Sequence, residues 1–517
     1  MPPSLFQIIQ RRWWLFGYGG QAGRSALSSG PRTLNSEDMT TTSGRRLSLL
    51  SNLWVAVFFP PRSAENSEIW FRGPKMTPRQ HVDRVSAEDM MSLDADIGSA
   101  PMQVGAILML STEGSEDSAP LLEALARRLG TVPRLRQRLV SVPFGCGRPI
   151  WADDSGFDPA HHLGVIACPA PGGEEAVLNI AAEMLAAPLS RDRPLWSAKL
   201  ITGVSPDLSA LVFVFHHVLT DGIGGLAVLE ALAAAEAGWD GRREPEIPYS
   251  ALHLAIDAAR SRVNALAGLP AALRTAAAGA SELRQTGKPR AARTSLNRPT
   301  GPQRTLAVLR CDMEAVRTAA HMQGATVNDL ILTAVATALH RLLLARGEYV
   351  EEFVISVLFS ARRHTTITYL GNRSGIIPVT VPAVGPAKGR VAAVAATMRS
   401  VKQRPPGAST AIIGPISRVA AHLGAYRFVI DHQHLVHTFV TNLRGPERTL
   451  VVAGRPVTGI IPLGAISGNV TVAFAVLSYA GTLTITTIAD PGTCPDLTGL
   501  RDELSSALEA LMVTGPS

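Results

Sequence analysis

The chain has 517 residues, of which 46% are hydrophobic and 18% charged, so general disorder is excluded and the length predicts more than one domain. Its formal charge of +7 is unevenly placed, because residues 1–75 hold nine Lys/Arg against four Asp/Glu. The remainder is close to neutral and shows no basic motif interleaved with aromatic residues, which argues against a nucleic acid partner.

Residues 1–75 differ from the rest of the chain. Four of the seven tryptophans fall here, and no helical or strand period persists. The segment 45–62 begins with two arginines and continues with an apolar run too short to span a bilayer, so it is also signal-like. We interpret 1–75 as a disordered or mis-started N-terminal extension, with a membrane-surface anchor and a cleaved signal as the alternatives.

From Met76 the chain alternates helical and strand patterns up to residue 240, which we interpret as an N-terminal subdomain, 76–240. It opens at Ser86-Ala87-Glu88-Asp89, a capping-box helix start. The predicted strands are 104–110, 199–204 and 211–215, and the predicted helices are 121–129 and 177–189. The last two strands flank a Ser-Pro-Asp turn and predict a hairpin. The mixture predicts an α/β protein with mixed α+β sheets.

Residues 241–305 break this rhythm. Apolar residues recur at helical spacing and predict one amphipathic helix: Leu252, Ile256, Ala259, Val263 and Leu266. Beyond it, the segment up to Thr305 carries seven Lys/Arg against the single acid Glu282. We interpret 241–305 as a basic helical crossover between two halves. A solvated linker is the simpler interpretation, and contact with an anionic membrane surface is the alternative.

The second half, 306–517, has a similar length and mixture of elements. Thr326 to Asp329 forms a capping box before a helix whose apolar positions repeat at the right interval up to Leu342. The predicted strands are 353–359, 376–381, 436–441, 471–477 and 482–488, and the closing helix is 500–511. We therefore expect a C-terminal subdomain over 306–517.

The motif His216-His217-Val218-Leu219-Thr220-Asp221-Gly222 is the strongest chemical clue. It follows a buried apolar run and precedes an Ala-rich helical pattern, so it lies at a strand-to-helix turn. A neutral imidazole there can take a proton from a hydroxyl as its oxygen attacks an acyl carbon. Because neighbouring side chains on a strand alternate, one of the two histidines must point away. Asp221 either bonds an imidazole or pins the turn by pairing with an arginine, and Gly222 permits close backbone approach or positive φ.

The sequence shows no motif for a metal site, a serine hydrolase or a P-loop. Adjacent histidines on a strand diverge, unlike the ligands of HExxH, so no metal site is predicted. The four cysteines are widely spaced without a CxxC pair, which fits a reducing cytoplasm. A second pair, His161-His162, lacks a following Asp-Gly and is interpreted as structural or surface. Neither a GxSxG elbow nor a GxxxxGK[ST] loop is present.

HHxxxDG after a buried strand resembles the acyltransferase superfamily that includes chloramphenicol acetyltransferase and peptide-synthetase condensation domains. Further motifs resemble, more specifically, the bacterial wax ester synthase/diacylglycerol acyltransferase family. They run in order from about residue 76 to 490: Ser86–Asp89 with Pro101–Gly105, Phe157-Asp158 with His161, Pro194–Trp196, Leu296-Asn297 with Gly301-Pro302 and Arg304, Asn328-Asp329, Gly371–Arg373, Thr441–Pro446, and Ser478-Tyr479 with Gly481 and Asp490. Residues 1–75 have no family counterpart, and Thr441 and Leu443-Arg444 depart from the family pattern.

The resemblance implies two chloramphenicol-acetyltransferase-like subdomains with a channel between them and the motif at its midpoint. It implies acyl-CoA as donor co-substrate, no bound cofactor or metal, and diacylglycerol or a long-chain alcohol as acceptor. The products would be triacylglycerol or wax ester. A different alcohol with a carrier-protein donor, and a non-catalytic lipid-binding or lipid-body protein, are the alternatives. We expect a cytoplasmic protein held peripherally at the inner membrane face or on lipid bodies.

The resemblance also assigns roles to residues. It makes His217 the general base, with His216 supporting it, while Asp221 and Gly222 complete the motif and shape the turn. It makes three residues substrate-lining or structural: Asn328, Asp329 and Asn372. Arg362 is a candidate structural partner of Asp221.

Overall fold

The computed structural model describes residues 82–96, 99–112, 118–234, 239, 241, 249–267, 291–360, 370–372, 374–402 and 425–513. The predictions made for the extension 1–75, its signal-like segment 45–62 and Arg362 lie outside these residues.

Within the described residues the chain forms ten α-helices and fourteen strands. The helices are α1 Ala87–Ala95, α2 Ala119–Leu129, α3 Gly173–Ala186, α4 Gly222–Ala233, α5 Ala251–Ala267, α6 Met313–Met322, α7 Val327–Ala345, α8 Ala387–Lys402, α9 Tyr426–Asp431 and α10 Leu497–Val513. The strands are β1 Gln103–Ser111, β2 Gln137–Val140, β3 Ile150–Asp153, β4 Leu163–Ala167, β5 Trp196–Ser205, β6 Leu208–His216, β7 Thr305–Asp312, β8 Glu352–Ser360, β9 Ser374–Pro382, β10 Thr438–Arg444, β11 Val451–Val452, β12 Arg455–Leu463, β13 Val472–Tyr479 and β14 Thr482–Ala489.

The mixed α/β prediction is confirmed by two six-stranded mixed sheets. The first has the order β11-β12-β1-β6-β5-β4 and contains the predicted β5–β6 hairpin. Its strand β6 is buried from Ser209 to His216, as expected of a strand covered on both faces. Helices α2 and α4 contribute to the core on one face, and α3 packs on the other.

The second sheet has the order β7-β14-β13-β10-β8-β9. Its core includes residues of α7, α8 and α10. Thr326 caps α7, and Asp329 completes the predicted capping box. Among the helices that the structure describes, α7 alone is long and apolar enough to cross a bilayer, but 72% of that window is buried inside the fold. It is therefore the central packing helix of the second half.

Strand β12 crosses from the second half into the first sheet. It lies inside the expected C-terminal subdomain 306–517, yet it pairs antiparallel with β1, and Ile461 lies opposite Ile107. Neither of these side chains is exposed. The two sheets therefore do not coincide with the two predicted subdomains. Residues 451–463 come from the second half of the chain but complete the sheet that carries the HHxxxDG strand.

Two local predictions need correction. The helix predicted over 177–189 ends at Ala186, since Pro188 disfavours helical geometry at the residue before it. Helix α5 forms as predicted, but its regular apolar face points outward, with Leu252 71% and Val263 64% exposed. The side that packs holds Leu254 and small alanines, which allow close approach to the neighbouring loop.

If β12 holds the first sheet together, truncating its central side chain should destabilise the protein. We expect Ile461→Ala to lower the free energy of unfolding by about 2–5 kcal/mol, because it leaves a cavity in the core between the first sheet and α3. The half-exposed Val451 on β11 provides the control, and Val451→Ala should change stability by less than about 0.5 kcal/mol. Urea unfolding followed by circular dichroism measures both, and equal effects would contradict the assignment.

Candidate active site

The HHxxxDG turn is held by backbone hydrogen bonds on both sides. The amide of His216 donates to Leu195 O at 2.9 Å, and the amide of His217 donates to Met102 O at 2.8 Å. Asp221 is the N-cap of α4, and its side chain accepts from the amide of Gly224 at 3.1 Å. The two histidines are therefore fixed in place between the end of β6 and the start of α4.

His216 is buried, and its contacts determine which ring nitrogen carries the proton. The amide of Val218 donates to His216 Nδ1 at 3.0 Å, so Nδ1 carries a lone pair and the proton is on Nε2. Nε2 lies 3.2 Å from the carboxylate of Asp96, which also accepts from the amide of Met102 and pairs with Arg191. Burial alone raises the pKa of Asp96, but the adjacent His216, the Met102 amide and the charge of Arg191 bring it below its usual value.

His217 has the opposite tautomer because of Asn372. The Asn372 amide nitrogen donates to the backbone oxygen of His217 at 2.8 Å, which orients its Oδ1 towards the ring. Oδ1 lies 3.1 Å from His217 Nδ1 and can only accept, so Nδ1 carries the proton. The lone pair of His217 is consequently on Nε2, the nitrogen that a general base needs free.

Asn372 is itself held from the first half of the chain. Its amide donates to Asp89 Oδ1 at 2.8 Å, and Asp89 also closes the capping box with Ser86 at the start of α1. Burial raises the pKa of Asp89, although the hydrogen bonds from Asn372 and Ser86 oppose that effect. Both halves therefore contribute to the position of one imidazole.

The surroundings of His217 favour its neutral form. Part of the residue reaches the surface, yet the protein around the ring desolvates it and lowers its pKa below the usual 6.5. The charge of Asp221 and the bond to Asn372 act in the opposite direction but do not outweigh burial. His217 is thus a neutral imidazole at physiological pH.

The glycines of the motif and of the following helical turn allow neighbouring side chains to approach the backbone closely. Neither Gly222 nor Gly224 has a positive φ. A Cβ at Gly222 would lie 2.6 Å from Leu443 Cδ1, and one at Gly224 would lie 1.7 Å from Thr220 Oγ1. Close backbone approach is therefore the reason for glycine at both positions. Leu443, one of the departures from the family pattern, brings a side chain of β10 against the start of α4.

The remaining predicted site residues lie in different surroundings. Asp329 accepts bonds from Thr326 at the start of α7, and Asn328 accepts from Asn442 Nδ2 at 3.3 Å. Within the described residues neither forms a hydrogen bond with His217. Asn372, predicted as substrate-lining or structural, bonds directly to His217. Arg362 lies outside the described residues.

The second histidine pair has the expected structural and surface character. His161 is exposed, whereas His162 is buried. The His162 ring stacks on Trp196 with 4.5 Å between ring centroids, and its Nδ1 forms a hydrogen bond with the backbone oxygen of Trp196. Trp196 also donates to Leu135 O, and it opens β5 beside β6, where it lies opposite Phe215. Asp96 was missed by sequence reasoning because it carries no motif signal. Asp89 was predicted as part of a capping box and of a family motif, but its bond to Asn372 was not predicted.

The fold belongs to a class shared by acyltransferases and condensation domains. The structure of a wax ester synthase/diacylglycerol acyltransferase from Marinobacter aquaeolei VT8 matches with a TM-score of 0.61 at 21% identity, over 83% of this chain and 98% of that one. The first condensation domain of the calcium-dependent antibiotic synthetase matches with a TM-score of 0.57 at 18% identity, over 84% and 98%. The predicted fold of two chloramphenicol-acetyltransferase-like subdomains is confirmed.

Sequence comparison then identifies the family. Residues 85–331 match the wax ester synthase/diacylglycerol acyltransferase catalytic domain, and residues 370–512 match the WS/DGAT C-terminal domain. A putative diacylglycerol O-acyltransferase of Mycobacterium tuberculosis strain CDC 1551 is 27% identical over 83% of this chain and 90% of its own length. A probable diacylglycerol O-acyltransferase of strain H37Rv is 27% identical over 84% and 96%. The chain belongs to this acyltransferase family, as the motifs indicated.

The contact between Gly224 and Thr220 can be tested by substitution. Gly224→Ala should lower kcat by about tenfold or more, because the new methyl group displaces Thr220 and shifts the turn that carries His217. Thr220 Oγ1 is buried without a hydrogen-bond partner among the described residues, so Thr220→Ala should partly restore the activity of Gly224→Ala. Wild-type kcat in Gly224→Ala alone would show that the turn tolerates the displacement.

Proposed function

We propose that this chain transfers a long-chain acyl group from acyl-CoA to diacylglycerol and releases triacylglycerol and CoA. The same site would accept long-chain alcohols and give wax esters. The observation that carries the proposal is the contact of Asn372 Oδ1 with His217 Nδ1, which places the lone pair of a neutral His217 on Nε2, the tautomer needed for proton abstraction. Family membership supports the substrate classes.

In the proposed reaction, His217 Nε2 takes the proton from the acceptor hydroxyl as its oxygen attacks the thioester carbon. The carbon–oxygen bond forms, the carbon–sulfur bond breaks, and the imidazolium returns the proton to the departing thiolate. Asn372 Oδ1 accepts from Nδ1–H throughout and stabilises the transient imidazolium. The thioester supplies the driving force, so we propose direct transfer that uses no bound cofactor or metal, in a channel between the two halves.

We also propose that the enzyme works in the cytoplasm at the inner membrane face or on lipid bodies, where its apolar acceptor is found. A non-catalytic lipid-binding role is less favoured, because such a protein has no need for two histidines held in opposite tautomers. Replacing the CoA thioester by a carrier-protein thioester would test the alternative donor.

Removing the base should nearly abolish transfer. We expect His217→Ala to lower kcat by about 10²–10⁴-fold, measured as CoA release from palmitoyl-CoA with diacylglycerol or hexadecanol as acceptor. The exposed His161 provides a matched control, and His161→Ala should retain activity. Wild-type turnover by His217→Ala would end the assignment of the base.

The pH dependence tests the role of Asn372. The base must be neutral, so kcat/KM should fall as pH decreases through the lowered pKa of His217, below 6.5. Asn372→Asp places a carboxylate against Nδ1–H, which stabilises the imidazolium and should move the acid limb upward by about one pH unit or more.

Asn372→Ala is the control for this shift. It removes the hydrogen bonds of the amide side chain without adding charge, so kcat should fall while the acid limb moves much less than in Asn372→Asp. An unmoved acid limb in Asn372→Asp would show that the side chain does not act on the proton of His217.

A further inference from the structure

The outer side of α5 is apolar although the helix lies at the surface. Four large side chains on it are exposed: Leu252 by 71%, Ile256 by 45%, Val263 by 64% and Leu266 by 43%. Their spacing places them on one face of the helix, within about 80° of arc. Single exposed apolar residues are ordinary, but a continuous row on one face marks an interaction surface.

This row is not the packing face of the helix. The opposite side buries Leu254, Ala258 and Ala265. The Arg84 guanidinium donates to Asp257 from that side at 2.6 Å and to Leu254 O at 3.0 Å. The helix is therefore already attached to the protein, and the outer row remains available for another contact.

An exposed aromatic side chain belongs to a loop that is attached to α5. Phe144 is fully exposed in the loop between β2 and β3. The loop is attached to α5, because Arg262 Nη2 donates to Gly145 O at 2.9 Å and Cys146 Sγ lies 3.6 Å from Ala251 O. We call these five exposed side chains, four on the helix and one on the attached loop, the α5 face: Phe144, Leu252, Ile256, Val263 and Leu266.

The charges beside the α5 face are positive. Arg260 and Arg262 are both exposed and lie about 80° to either side of the apolar row. The one acidic residue of the helix, Asp257, points the other way and pairs with Arg84. An apolar stripe bordered by arginines is the pattern of a helix that lies in the plane of an anionic lipid surface.

We propose that the α5 face docks the protein on anionic lipid, with α5 parallel to the surface and its apolar row among the acyl chains. This proposal rests on the proposed function, because it identifies the surface from which a lipid acceptor is taken. A second copy of the chain is a poorer occupant, since a two-fold contact would bring the same arginines together. Lipid headgroups supply the opposite charge.

The α5 face is connected to the candidate active site through few residues. Arg84 holds α5 and lies two positions before Ser86, the N-cap of α1. Asp89 on α1 then accepts from the amide of Asn372, the residue that orients His217. Docking through α5 would therefore bring α1, which supports Asn372, close to the lipid surface.

Vesicle binding by the full chain tests the proposal. The wild type should sediment with vesicles of phosphatidylcholine and phosphatidylglycerol and bind pure phosphatidylcholine less. Ile256→Glu with Val263→Glu should weaken binding to the anionic vesicles by about tenfold or more, because both changes place charge in the apolar layer. Leu344→Glu is the matched control at a 53% exposed position on α7 and should bind as the wild type.

A second measurement locates the contact without substitutions. Amide hydrogen exchange of the wild type should slow in residues 251–267 and in the loop around Phe144 when anionic vesicles are added. Unchanged exchange there, or equal vesicle binding by the double variant and the wild type, would overturn the proposal. So would a result in which the double substitution abolishes self-association but leaves vesicle binding intact, because the α5 face would then bind a second copy.

Catalysis is scored separately with a short-chain, water-soluble diacylglycerol. The double variant should acylate it at the wild-type rate and lose activity only on diacylglycerol held in vesicles. If the wild type acylates neither acceptor yet still binds vesicles through α5, the proposed function fails while the docking surface stands. Equal losses on both acceptors would count against docking as the role of this face.

Discussion

The geometry of the candidate site depends on one side-chain amide. An amide presents a donor and an acceptor from one planar group, and in Asn372 the donor is committed to a backbone oxygen that can only accept. The acceptor then has to face the imidazole, which determines the ring nitrogen that keeps its proton. A carboxylate in the same place would add a charge and hold the imidazolium more strongly. The neutral amide orients His217 and leaves its pKa under the control of burial.

The two adjacent histidines have separate roles as a result. His216 receives a backbone donor on Nδ1, and its protonated Nε2 lies 3.2 Å from the Asp96 carboxylate inside the fold. In His217 the Nδ1 contacts Asn372, and the lone pair is on Nε2. Because the strand ends between them, the same motif supplies a fixed structural histidine and a chemically available one.

Features that depend on neighbouring residues were predictable from the sequence. Both capping boxes, the β5–β6 hairpin and the apolar strand β6 formed as expected, since each is decided within a few residues. The bond between His217 and Asn372 joins residues 155 positions apart, and no spacing rule predicts it. Helix α5 was predicted, but periodicity reports an apolar face without saying whether protein or solvent lies against it. Strand β12 was missed because two prolines and a glycine within Arg455–Leu463 interrupt its strand pattern.

The place of β12 has a consequence for how the protein is made. During synthesis, β1, β4, β5 and β6 leave the ribosome long before residues 451–463 exist, so the edge of β1 has no partner for most of translation. An unpaired apolar edge is an aggregation hazard, and the contact that closes it has a very large sequence separation. One edge of β1 therefore stays open until nearly the whole chain has emerged. The sheet that carries the catalytic turn is therefore complete only when synthesis of the polypeptide is nearly finished.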